Sequence, residues 1–220
     1  MLNSELISQS IPALRLEDKV SDALRLMSNF NVLELPVVDQ GIYKGLYKED
    51  YLLQAKDDSI TIGKLDIPAL LIAVNAEEHF LKTLKIAVDF RLTLVPVVKE
   101  NAEFVGVISN TELLNHLAEF INVNEPGGLI VLETEGKNYS FAEISRLVET
   151  NDAQITQLNS FTDKETGIML VTIKINKLEI SDIVATFQRY EYHIKYYFGE
   201  EFYENEIRSN YDNLMNYLKI

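Results

Sequence analysis

The stretch Leu35-Pro36-Val37-Val38 returns as Val95-Pro96-Val97-Val98, an offset of 60 residues. The same offset carries Leu14 to Val74, Val20 to Phe80, Leu24 to Leu84 and Phe30 to Phe90. Further on, Gly45-Leu46 returns as Gly106-Val107 at an offset of 61, so the second copy holds one extra residue. A supersecondary unit repeated in this way buries its apolar face against its twin. A site shared between the twins is then the first place to look for function.

Each copy reads as strand, helix, strand, strand, helix. In the first, Leu14 and Leu16 alternate with polar residues as in a half-buried strand. Val20, Leu24, Met27 and Phe30 fall at helical spacing, with Ser21 or Asp18 expected as the cap. Val32 to Val38 is a buried-strand run, Asp39-Gln40-Gly41 a turn, and Tyr43 to Tyr47 the return strand. Glu49-Asp50 opens a short helix through Leu52 and Leu53. In the second copy Ala73-Val74 is the strand, and Glu77-Glu78 opens the helix that carries Phe80, Leu84, Ala87 and Val88. Leu92 to Val98 and Phe104 to Ile108 are its paired strands, and Leu113, Leu114 and Leu117 mark the closing helix.

Asn122 to Gly128, ending in Pro126-Gly127-Gly128, breaks both periodicities and reads as a linker. Beyond it come strand (Leu129 to Glu133), helix (Phe141 to Glu149), two strands (Ala153 to Thr162, Gly167 to Ile175), helix (Ile180 to Tyr190) and strand (Tyr192 to Phe198). That βαββαβ order is the ferredoxin-like one. Tyr203, Ile207, Tyr211, Leu214 and Leu218 then form one helical stripe, which either packs on its own domain or makes a dimer contact. The expected division is 1–60 and 61–121 for the copies, 122–128 for the linker, 129–198 for the ferredoxin-like domain and 199–220 for a terminal helix.

The chain has 220 residues, 47% hydrophobic and 25% charged, an ordinary globular composition. No run approaches the roughly 18 apolar residues of a membrane span. The first residues lack the basic and apolar segments of a secretory signal. There is no cysteine, which removes disulfides, thiolate metal sites and thiol nucleophiles and fits a reducing cytoplasm. A net charge of −14 disfavours nucleic acid and anionic membrane partners. It still permits a nucleotide in a local pocket, because backbone N–H groups at a helix start hold phosphate without net charge.

The two copies resemble a tandem pair of CBS domains. The resemblance is carried by Ile11-Pro12-Ala13-Leu14, Asp22 to Met27 and Leu35 to Asp39 in the first copy. In the second it is carried by Val95 to Val98, Gly106-Val107-Ile108-Ser109 and Glu112-Leu113. The βαββαβ segment resembles an ACT domain. In ACT domains that bind amino acids, Pro-Gly usually forms the turn after the first strand. Here Pro126-Gly127 precedes that strand and Glu135-Gly136-Lys137-Asn138 occupies the turn. The combination resembles the acetoin utilisation protein B type of regulatory protein. The expected fold is therefore α/β and α+β: a CBS pair, an ACT-like ferredoxin fold and a terminal helix.

The resemblance implies an adenosine ligand (AMP, ADP, ATP or S-adenosylmethionine) in a cleft between the copies. The base would lie among apolar side chains, a hydroxyl after the Gly strand would meet phosphate, and a carboxylate at the next helix start would take the ribose hydroxyls. Carried onto this chain, the second copy offers Ser109 and Thr111 as hydroxyls and Glu112 in place of the usual Asp. Leu92, Thr93 and Ile108 would line the base pocket, with Ile67 and Ile72 as looser candidates. The first copy departs: Lys48 replaces the hydroxyl and Tyr51 the carboxylate, so at most one competent site is expected. Lys48 could meet phosphate as a mobile point charge or stand as a solvated surface lysine. Ser109 and Thr111 could equally be helix caps.

Catalysis finds little support. His79, His116 and His193 are scattered, with no metal-spaced pair, and no nucleophile elbow or phosphate-cradling glycine loop occurs. The expectation is a non-catalytic, metal-free cytoplasmic regulator that forms a homodimer and acts on an unknown protein partner. The alternative is a ligand-free dimerisation scaffold with degenerate CBS sites.

Overall fold

A computed structural model of the chain describes residues 1–199 except 9, 56, 67 and 136–139. The expected terminal stripe (203–218) and the candidate Ile67 therefore lie outside the described residues. The chain divides into two compact units, Met1–Leu117 and Ala118–Ile220.

In the first unit, the first copy comprises α1 (Val20–Phe30), β1 (Glu34–Asp39), β2 (Ile42–Lys48) and a one-turn α2 (Glu49–Leu52). The second comprises β3 (Val74–Asn75), α3 (Phe80–Phe90), β4 (Leu94–Val98), β5 (Phe104–Ser109) and α4 (Asn110–Phe120). Helix α1 buries Val20, Ala23 and Met27, and α3 buries Phe80, Thr83 and Ala87, the same positions in each copy. Phe30 and Phe90, which continue the periodicity, remain 38% and 49% exposed at the last turn. There the chain leaves the helix through left-handed Asn31 (φ 53°) and Arg91 (φ 51°). Neither Ser21 nor Asp18 caps α1: Lys19 is the N-cap residue without a side-chain bond. The Asp18 carboxylate accepts the Arg15 N–H at 2.7 Å instead. In α3 the His79 ring caps, accepting the Leu81 N–H at 3.4 Å.

Strands β1 and β2 pair antiparallel with a bulge at Val37/Val38, and β4 and β5 repeat the pairing with a bulge at Val97/Val98. The extra residue of the second copy falls in its hairpin turn, where Glu100–Ala102 form a short 3-10 helix. The expected strand around Leu14 shrinks to one parallel bridge, Leu14 to Val37, while Leu16 turns outward at 37% exposure.

The copies complete each other. Leu70, on the segment leading into the second copy, bridges to Leu46 of β2, with N–H···O distances of 2.9 Å in both directions. Ser8, on the segment leading into the first copy, bridges to Val107 of β5. Gly45 and Gly106 admit these crossings. A Cβ on Gly45 would lie 2.4 Å from the Ala69 Cβ, and one on Gly106 would lie 2.4 Å from the Ile7 Cγ2. One continuous core follows, in which Leu14, Val20, Met27, Leu35 and Leu46 join Val74, Phe80, Leu94, Val107 and Ile108.

The second unit comprises β6 (Gly128–Thr134), α5 (Phe141–Glu149), β7 (Ile155–Thr162), β8 (Met169–Ile175), α6 (Ser181–Arg189) and β9 (His193–Phe198). Its sheet runs β7-β8-β6-β9 with every neighbour antiparallel, the order of a ferredoxin-like fold. Ile130, Leu132, Val171 and Ile173 face Ile144, Leu147, Ile183 and Phe187 in its separate core.

Replacing Gly45 by Ala meets both a positive φ (+147°) and the Ala69 side chain, whereas Gly41 (φ +79°) has open space around it. Gly45→Ala should cost about 1–3 kcal/mol more than Gly41→Ala, since overpacking adds to the shared backbone strain. Urea denaturation of both variants checks this; equal midpoints would show that the crossing is not tightly packed.

Candidate functional site

By the resemblance, a ligand cleft is expected at each of two corners, where one copy's Gly strand and following helix start lie beside the other copy's lead-in segment. On the first copy's side the meeting is direct: the Lys48 Nζ donates to the Phe90 carbonyl at 2.9 Å. On the second copy's side, Ser8 bridges to Val107, two residues before Ser109.

At the second copy's helix start, Ser109 precedes α4 and Glu112 is its third residue. The Ser109 Oγ accepts the Glu112 N–H at 3.3 Å. The Ser109 hydroxyl in turn donates to the Glu112 carboxylate. This Ser-x-x-Glu arrangement is a variant of the capping box, with the glutamate returning to the hydroxyl instead of the backbone. Thr111 is exposed and Glu112 half-buried. A hydroxyl, a carboxylate and the positive end of a helix dipole thus share one corner, a suitable place for polyhydroxylated and anionic groups.

Asn110 fixes this corner to its own copy. Its N–H donates to the Thr93 carbonyl and its Nδ2 to the Leu92 carbonyl, both at 2.9 Å. Thr93 is then tied across the pair. Its Oγ1 accepts the Leu33 N–H at 3.0 Å and donates to the Glu34 Oε1 at 2.6 Å. The same Oε1 accepts the Thr93 N–H and, at 2.8 Å, the Leu94 N–H. Glu34 is fully buried, and its Oε2 has no hydrogen-bond partner among the described residues. Such a group costs about 1–3 kcal/mol of unrecovered desolvation.

The sequence-derived site residues separate accordingly. Ser109 and Glu112 come together. Ile108 is fully buried in the core and presents no surface to a ligand in this structure. Leu92 and Thr93 line an apolar groove of about 550 Å³ between α3 and α4, with Leu84, Val88 and Leu114. The Ile72 carbonyl accepts the Tyr43 hydroxyl of the first copy's hairpin at 2.7 Å. Burial pushes the ionisation of that tyrosine upward. The Lys48 ammonium donates to the Phe90 carbonyl at 2.9 Å in an exposed contact, which uses one of its three donors. Sequence reasoning missed the Ile7–Ser8 crossing, which no local pattern announces. It also missed Glu34, whose signal was visible as a lone carboxylate inside the apolar run Val32–Val38.

In the second unit a polar cavity of about 530 Å³ lies among Glu133, Glu135, Glu143, Tyr192 and His193. The hydrogen bond and charge of Lys195 hold the Glu133 carboxyl below its usual range. Burial and a 2.7 Å bond to Glu143 push the Tyr192 hydroxyl up to about 12. Among the described residues no cluster of three His, Cys, Asp or Glu is arranged to hold a metal ion, and no helix is long and apolar enough to cross a membrane.

The two repeat copies, each crossed by the other's lead-in segment, form one paired module. The family model of the CBS domain matches residues 4–58 and 71–119, so the first unit is a tandem pair of CBS domains. Similar solved structures include a CBS domain pair/ACT domain protein from Thermotoga maritima, 24% identical, which covers 55% of this chain and 99% of its own at a TM-score of 0.48. The CBS domains of a transcriptional regulator from Streptococcus pneumoniae are 23% identical over 52% of this chain and 98% of theirs, with a TM-score of 0.47. CBSX2 in complex with AMP is 17% identical over 54% of this chain and 97% of its own, also at 0.47.

Ser109→Ala removes the cap of α4 and leaves the Glu112 carboxylate without its hydroxyl partner. The ligand-free protein should lose about 1 kcal/mol of stability, read by denaturant titration. Unchanged stability would show that the Ser109–Glu112 bond contributes nothing to the resting fold.

Proposed function

We propose that this chain is a non-catalytic regulator that binds an adenine nucleotide (AMP, ADP, ATP or S-adenosylmethionine) in the second of its two clefts. The observation that carries this reading is the Gly106-x-x-Ser109-x-x-Glu112 corner, where hydroxyl, carboxylate and helix start converge beside the other copy's crossing segment. Glu112 would accept the ribose hydroxyls, and Ser109, Thr111 and the α4 N–H groups would meet phosphate. Thr93 and the Ile7–Ser8 segment would flank the base. The ligand biases the relative arrangement of the two copies by its differential affinity for them. The ACT-like domain or a protein partner then reads that arrangement, in a cytoplasmic homodimer of the acetoin utilisation protein B type.

A second reading is a ligand-free interaction scaffold. It is favoured by the mutual bonding of Ser109 and Glu112, which satisfies both groups without a ligand.

A thermal-shift series with the four ligands at about 1 mM separates the readings. A ligand at about 100 times its dissociation constant adds about 2.7 kcal/mol, enough to raise the melting temperature by several degrees. Glu112→Ala should abolish the shift and Tyr51→Ala should keep it. No shift with any of the four favours the scaffold, and the reverse pattern of variants would move the site to the first copy.

A further inference from the structure

The two clefts are not equivalent, and the difference lies in residues the repeat does not conserve between its copies. Position 34 holds Glu where its counterpart 94 holds Leu; position 93 holds Thr where 33 holds Leu. Position 48 holds Lys where 109 holds Ser. Glu34 and Lys48 are cross-strand partners in β1 and β2. Both reach out of the first copy and end on one short stretch of the second, Phe90 to Leu94. Lys48 donates to the Phe90 carbonyl, the exposed C-terminal end of α3, where a cation is favoured by the helix dipole. Glu34 collects the Thr93 N–H, the Thr93 hydroxyl and the Leu94 N–H on one oxygen.

We propose that Glu34 and Lys48 form a built-in clamp that ties the first copy to the second copy's α3–β4 corner and closes the first cleft without any ligand. An acceptor and a donor of opposite charge hold opposite ends of the same corner, so it can neither shift along β1 nor lift from it without breaking both. The clamp rests on hydrogen bonds between protein groups alone. Its consequence for ligand rests on the reading above: Lys48 makes no phosphate contact, and the nucleotide enters only beside Ser109 and Glu112.

Amide hydrogen exchange of the full chain, without ligand, tests the clamp. In Lys48→Ala and in Glu34→Leu, which copies the residue of the second repeat, the Leu92–Leu94 amides should exchange about tenfold faster than in the wild type. Glu34→Gln, which keeps an acceptor oxygen and the side-chain shape, should fall between, and it stands in if the leucine variant does not fold. Unchanged exchange in Lys48→Ala or in Glu34→Gln overturns the proposal. A second arm measures ATP affinity by calorimetry. Lys48→Ala should bind ATP within about twofold of the wild type, whereas a phosphate-contacting lysine would lose about tenfold, as 1.4 kcal/mol of lost interaction implies. That larger loss would also overturn the clamp. Should the wild type bind no adenine nucleotide, the proposed ligand fails and the exchange arm alone decides the clamp.

Discussion

Neither CBS copy can complete its own sheet. The hairpin of the first is extended by Leu70, which belongs to the approach to the second, and the hairpin of the second is extended by Ser8, which belongs to the approach to the first. Both crossings press a backbone against a glycine, at Gly45 and Gly106, where any side chain would collide with the incoming segment. The exchange makes the pair, not the single copy, the folding unit. A lone copy would expose an unpaired edge and half of a shared core, and copies of about sixty residues are in any case marginal on their own. The exchange also sets each copy's Gly strand, just before a helix start, against the other copy's crossing segment, the corner where the family resemblance expects a ligand cleft.

Twofold pseudosymmetry would make the clefts alike, and the scaffold is alike. Left-handed exits at Asn31 and Arg91, bulges after Val37 and Val97 and glycines at 45 and 106 recur in register. The polar residues break the symmetry. On one side a capping hydroxyl and a carboxylate sit at the mouth of a helix. On the other, a lysine is drawn to a helix C-terminus and a glutamate is sunk fully into the interface. A buried carboxylate is not a cheap way to gain stability, because its desolvation offsets much of what its hydrogen bonds return. Three charge-assisted bonds to one oxygen recover part of that cost, and what they secure is register: no other strand alignment presents the Thr93 and Leu94 N–H groups to Glu34.

Much of this fold was legible because periodicity and local punctuation are sequence-local. The Pro-Val-Val strands, the one-residue insertion, the helix Phe141–Glu149 and the βαββαβ order of the second unit all follow from patterns within ten or twenty residues. What escaped notice depended on distant partners. The strand at Leu14 contributes only one bridge because the rest of the segment is committed elsewhere. Phe30 and Phe90 keep helical spacing yet stay exposed, since the helices end in left-handed turns one residue later. Asp18 looks like a cap but serves the Arg15 N–H. Ile108 has the apolar character of a base pocket, but it is fully buried in the core. Apolarity alone does not distinguish a pocket wall from a core. The charged outliers, Glu34 in an apolar strand and Lys48 where a hydroxyl belongs, were the more informative signals.

The asymmetry also bears on how such a pair could respond to a ligand. A ligand shifts a conformational equilibrium only by the difference in its affinity for the two states. If both clefts were free, one ligand would have to order both sides of the interface and meet the entropy of each. If the proposed clamp holds the Phe90–Leu94 corner to β1 and β2, relative motion of the copies is confined to the side of Ser109 and Glu112. The Ser109–Glu112 bond there is a half-buried cap worth about 1 kcal/mol, which a ligand would have to displace. A modest affinity difference then suffices to choose between arrangements. On that proposal, the buried glutamate that costs stability on one side lets a small interaction energy be decisive on the other.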